Sequence, residues 1–119
     1  MKEVKRAIRE RTDEINKMAE KASAEIKAVE KFLAKNEVGV EAYLPKVKED
    51  AYARYGYARV NGVWHIVIKK LDGDVWKATA CNRADRIRVA KRLSDILEAV
   101  NDNLEDLVEE AKGADASHE

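Results

Sequence analysis

From Lys2 to about Asn36 the chain contains neither glycine nor proline, and Ile8, Thr12, Ile15, Ala19, Ala22, Ile26, Val29 and Leu33 follow one another in steps of four and three. Steps of that size return to one face of an α-helix, so this stretch reads as a single amphipathic helix. Met18 and Phe32 widen the stripe. Three seam positions, Thr12, Ala19 and Ala22, are small, which points to the close approach of a neighbouring helix.

The other end of the chain repeats the rhythm. Ala90, Leu93, Leu97, Val100, Leu104, Leu107 and Ala111 advance by threes and fours, with Ile87, Val89 and Ile96 broadening the first half. Asn82 and Asp85 stand at N-cap and N3 spacing, and Gly113 is a natural stop, so a second helix is expected from about Arg83 to Lys112. Residues 113–119 are small, polar or charged and read as a disordered tail, leaving 1–112 as one domain.

Between the helices, Val60-Asn61-Gly62-Val63 is a strong hairpin signal, because Asn-Gly accepts the positive φ angles of a type I′ turn. If Val60 pairs with Val63, then Arg59 lies opposite Trp64, Tyr57 opposite Ile66 and Tyr55 opposite Ile68, all on one face. A loop Leu71-Asp72-Gly73 with Gly73 at positive φ then brings Trp76, Ala78 and Ala80 to that face in a third strand. This register gathers both tryptophans on one buried face, whereas a slip of one residue divides them. In the linker, Val38-Gly39-Val40 ends the first helix, Leu44-Pro45 blocks a continuous helix, and a short helical turn is expected near Glu41 to Leu44. The fold class expected is therefore α+β. A long N-terminal helix, a three-stranded antiparallel meander and a long C-terminal helix follow in order, the helices packed on one sheet face and against each other.

A helix of about 35 residues is roughly 50 Å long, while three strands make a sheet only about 15 Å wide. The apolar stripe must overhang, to be covered by the second helix, by another copy, or by both. Lys2, Lys5, Arg6, Arg9 and Arg11 crowd the start of the first helix, and Glu98, Asp102, Glu105, Asp106, Glu109 and Glu110 the end of the second. Both distributions run against the helix dipole. An antiparallel helix pair would bring the opposite charges together. Self-association as a homodimer or higher homo-oligomer is expected through Ile8, Thr12, Ile15, Ala19, Ala22, Leu104 and Leu107.

Lysine plus arginine and aspartate plus glutamate each number 23, so formal net charge is zero and a general nucleic-acid binder is not expected. Cys81 is the single cysteine, which excludes an intramolecular disulfide and a Cys-rich zinc site and fits a reducing cytosol. No apolar run resembles a signal peptide or approaches the ~20 residues of a membrane span. The expectation is a cytoplasmic protein with no membrane association.

Chemistry-bearing motifs are few. His65 and Cys81 fall on the sheet face opposite the tryptophans, on adjacent strands, but lack an orienting third group or an oxyanion site. Asp72-Gly73-Asp74 lacks the further oxygen ligands of a calcium loop and reads as turn chemistry. Phosphate loops, nucleophile elbows and His-Glu-x-x-His are absent. No catalytic residue, metal site or cofactor is therefore assigned. The basic start of the second helix is the remaining candidate. Arg83 and Arg86, with Arg54 and Arg59 and the aromatics Tyr55, Tyr57, Trp64 and Trp76, describe a pocket for an anionic small molecule such as a nucleotide.

The order of helix, hairpin-rich middle and helix is similar to that of a prefoldin subunit in topology alone, with helices that look short for that role. The compact size of the chain also looks like that of the small phage and mobile-element proteins that act by binding a host component. The expected function is a non-catalytic interaction protein that self-associates through its helices and binds a protein partner, an inhibitor or adaptor. Anionic small-molecule binding is the alternative.

Overall fold

The structure, a computed structural model, describes residues 1–45 and 53–116. Helix α1 spans Lys2–Lys35, as its Gly-free and Pro-free run requires. Its end is a Schellman motif: Val38 N–H donates to Leu33 O and Glu37 N–H to Ala34 O, both at 3.1 Å. Glu37 therefore adopts the left-handed conformation, φ 51°, at a position that usually takes glycine.

Four strands follow in the order β1-β2-β3-β4, an antiparallel meander: β1 Ala42–Tyr43, β2 Ala53–Val60, β3 Val63–Lys70 and β4 Val75–Lys77. The central hairpin has the expected register, with Val60 opposite Val63, Arg59 opposite Trp64, Tyr57 opposite Ile66 and Tyr55 opposite Ile68. Asn61 and Gly62 both take positive φ, 50° and 82°, as a type I′ turn demands. The next loop also matches, since Gly73 has φ 94°, Gly73 N–H donates to Lys70 O, and Lys70 N–H to Asp74 O.

Three features of the middle segment differ from expectation. The sheet has four strands instead of three, because residues 42–43 form β1 where a helical turn near Glu41 to Leu44 was expected. The physical reason lies in β2. Gly56 sits opposite Tyr43, and a Cβ there would stand 2.3 Å from Ala42 O and 2.6 Å from Tyr43 Cδ1, so only glycine lets β1 close onto β2. The third expected strand is also shortened. After Lys77 the chain coils into a 3-10 turn, Ala78–Ala80, which drops Ala78 into the core and leaves Ala80 exposed. Trp76 does face the same way as Ile68, but it remains 51% exposed, so the two tryptophans share a face and not a core. The short β4 lies beyond the cover of the helices.

The second helix begins at Arg83 as expected, with Asn82 Oδ1 accepting from Asp85 N–H at 2.8 Å. It does not continue unbroken. Helix α2 covers Arg83–Ala90 and helix α3 covers Leu93–Ala116, the turn between them tightened by Arg92 N–H donating to Val89 O. Neither glycine nor proline marks the break. Tertiary packing does: α2 lies along α1, whereas α3 lies on β1 and β2, and the turn lets Val89, Leu93 and Ile96 all reach the core. At its far end α3 passes through Gly113 with helical backbone to Ala116, beyond the stop expected there; residues 117–119 of the expected tail lie outside the described residues.

The helices contact the sheet and each other, but the long ones are not an antiparallel stalk. Arg83 at the start of α2 meets Asn16 of α1, Glu30 of α1 meets Ile66, and Leu33 and Val38 line one cleft with Val63 and Trp64 at the hairpin tip. α1 thus runs toward the tip. Residues Asp95 and Glu98 of α3 lie beside Leu44 and Pro45, and Asn103 Nδ2 donates to Glu41 O, opposite the tip-ward part of β2. α3 thus runs the same way. The basic start of α1 and the acidic end of α3 consequently project from opposite ends of a molecule 79 Å long, and the intrachain charge pairing expected from the sequence does not form. Core side chains between helices and sheet include Ile26, Leu33, Tyr55, Tyr57, Ile66, Ile68 and Ile96.

Candidate functional site

The four arginines of the anion pocket do not converge. Arg54 and Arg59 lie five residues apart on β2 and so point to opposite faces of the sheet. Arg59 stands 5.3 Å above the Trp64 ring, and Trp64 stacks on Tyr57 at 5.2 Å, so this cation caps an aromatic pair. Arg83 and Arg86 turn onto α1, where Arg83 donates to Asn16 Oδ1 at 2.7 Å and Arg86 to Ser23 Oγ at 3.1 Å. Arg86 Nε is buried without a hydrogen-bond partner among the described residues. Further along, Asp85 receives Arg88 and Lys70, and Arg92 pairs with Asp95. The helix start is thus tied into the fold by its own cations.

His65 and Cys81 are each held by another group. The His65 Nδ1 lies 2.7 Å from Glu30 Oε2, within hydrogen-bond distance. Cys81 Sγ donates to Lys77 O at 3.3 Å. Burial pushes the Cys81 thiol above its usual pKa, and the Asp85 carboxylate adds to this, with Lys70 and Arg86 pulling the other way. A thiol held protonated is a poor nucleophile at neutral pH.

Glu30 has no signal in the sequence, one glutamate among many on a charged helix. Its Oε2 also accepts Ile66 N–H at 3.2 Å. Ile66 lies in the part of β3 that β4 does not pair, so the carboxylate stands in for the missing strand.

The expected self-association residues divide into two groups. Ala19 and Ala22 are buried within the chain, Ala22 beside Ile87 and Ala90 of α2, so the small-residue seam serves the α1–α2 contact and is not free for a second copy. Ile15 is half-buried where α2 begins, and Leu104 packs on the edge of the core. Beyond these points both stripes run out over solvent. Val4 and Ile8 are 59% and 60% exposed, and Leu107 and Val108 are each 50% exposed; Thr12 is exposed between Ile8 and Ile15.

A second feature has no signal in the sequence. At the hairpin tip a cleft of about 410 Å³ opens between the end of α1 and the turn, lined by Leu33, Val38, Tyr57, Gly62, Val63 and Trp64. It arises because the left-handed turn at Glu37 folds Val38 back over the sheet.

Among the described residues no three His, Cys, Asp or Glu side chains gather as a metal site, and no helix is long and apolar enough to cross a membrane. Set against known proteins, the chain matches no family model, no curated protein and no solved structure.

Proposed function

We propose that this protein is a non-catalytic interaction module of the reducing cytosol that self-associates through its helices and, so assembled, engages a protein partner. One observation carries the reading: the apolar stripes of α1 and α3 continue past the body of the molecule, leaving Val4, Ile8, Leu107 and Val108 half or more exposed at its two ends. Burying a side chain of this size is worth about 1.5–3 kcal/mol, and helices with an open apolar face gain most of their stability from packing it. The anion-pocket alternative has less support, since Arg83 and Arg86 are already engaged by α1 and the two strand arginines face apart.

Sedimentation of the full chain tests this. The expected result is an assembly larger than one 13.5 kDa chain, reduced to a single chain by Ile8→Asp or Leu107→Asp without loss of helix signal. Wild-type protein that stays a single chain at high concentration overturns the reading.

A further inference from the structure

We infer that self-association joins unlike ends: the start of α1 in one copy packs on the end of α3 in a second copy. The inference rests on the self-association reading and specifies its contact.

Three observations converge. The overhangs match in length, since among the described residues nothing packs on α1 from Lys2 to about Glu14 or on α3 from about Glu105 onward to its end at Ala116, each about 20 Å or three turns. Each carries exposed aliphatic side chains, Val4 and Ile8 on one and Leu107 and Val108 on the other. Their charge balances are opposite in sign: Lys2, Lys5, Arg6, Arg9 and Arg11 outnumber Glu3 and Glu10 over residues 2–11 of the first, before Asp13 and Glu14, and Glu105, Asp106, Glu109 and Glu110 outnumber Lys112 on the second, all exposed.

Charge then selects among the ways two copies can meet. Pairing α1 with α1 sets one net-basic segment against another, and pairing α3 with α3 sets carboxylates against carboxylates, the second strongly unfavourable. Unlike ends attract. Each end also opposes its own helix dipole, with bases at a helix start and acids at a helix end; an oppositely charged neighbour offsets that cost. The two ends cannot meet within one chain, because they project from opposite ends of a 79 Å molecule. Only a second copy brings the complementary surface, either as a two-fold pair with two such contacts or as a head-to-tail chain with one per junction.

The test is charge exchange, read by sedimentation velocity at low salt with circular dichroism as the folding control. One variant reverses the acidic end (Glu105→Lys, Asp106→Lys, Glu109→Lys, Glu110→Lys). A second reverses the basic end (Lys5→Glu, Arg6→Glu, Arg9→Glu, Arg11→Glu). A third carries all eight changes. Each single-end variant is expected to associate at least roughly tenfold more weakly than wild type, and the third to recover most of that loss. Raising the salt should weaken wild type and the third variant alike. Single-end variants that associate like wild type, or a folded eight-change variant that stays dissociated, overturn the unlike-end contact while leaving self-association standing. A wild-type chain that never associates removes both.

Discussion

The Glu30 carboxylate of α1 meets the His65 ring of β3 at 2.7 Å, and with the same oxygen accepts Ile66 N–H. One side chain thereby fastens a helix to a strand and finishes a backbone edge that the short β4 leaves open. An unpaired backbone N–H at such an edge is costly if water is excluded, and a template for foreign strands if it is not.

Replacing Glu30 by Ala removes both bonds at once. The loss expected is about 2 kcal/mol of unfolding free energy, since a buried donor left without its charged acceptor costs on the order of 1–3 kcal/mol. Denaturant unfolding measures it, and hydrogen exchange at the Ile66 amide should accelerate. A change below about 0.5 kcal/mol, within the range of ordinary surface substitutions, would show that water replaces the carboxylate at no cost.

Gly56→Ala probes the seating of β1. The new Cβ meets the Ala42 carbonyl oxygen at 2.3 Å, and neither backbone can yield without breaking the β1–β2 pairing. The cost should be about 3 kcal/mol, the upper end for inserting a methyl group into packed structure. Protection of the Leu44 amide, which donates to Tyr55 O at 2.8 Å, should disappear first. Wild-type protection of that amide in the variant would mean that β1 tolerates the displacement.

At Glu37 the expected change has the opposite sign. A side chain in the left-handed region costs roughly 1–2 kcal/mol, against which glycine adds unfolded-state entropy of about 0.5–1 kcal/mol. Glu37→Gly should therefore stabilise by some tenths of a kcal/mol up to about 1, seen as a higher denaturation midpoint at unchanged slope. A destabilised variant would indicate that the Glu37 side chain makes a contribution larger than its backbone strain.

The parts of this fold that were legible in the sequence are those set by local chemistry. The Asn61-Gly62 turn dictates a register, and Asn82 caps a helix wherever it is packed. The parts that were not legible depend on what lies across space. β1 exists because Gly56, distant in sequence, has no side chain; the helix break at Lys91 and Arg92 carries no breaking residue and reflects two surfaces that one straight rod cannot serve. Ala19 and Ala22 do mark a close helix approach as their size suggested, whereas Thr12 is exposed and meets no helix among the described residues; sequence spacing does not say whether the neighbour belongs to the same chain. Ala19 and Ala22 answer to α2. Likewise the arginines near the start of α2 carried a basic signal, while their hydrogen bonds to Asn16 and Ser23 depend on how α2 crosses α1.

The shared direction of α1 and α3 changes what neutrality means for this molecule. A formal net charge of zero describes the protein only from far away. Under physiological salt the Debye length is about 8 Å, a small fraction of the 79 Å that spans the two ends. Neither pole senses the other through solution, and an approaching surface meets a mixed end whose first ten helical residues are net basic or an acidic end according to the side it arrives from. In its near field the protein is an electrically asymmetric rod, and its isoelectric point says little about what its acidic end will adhere to.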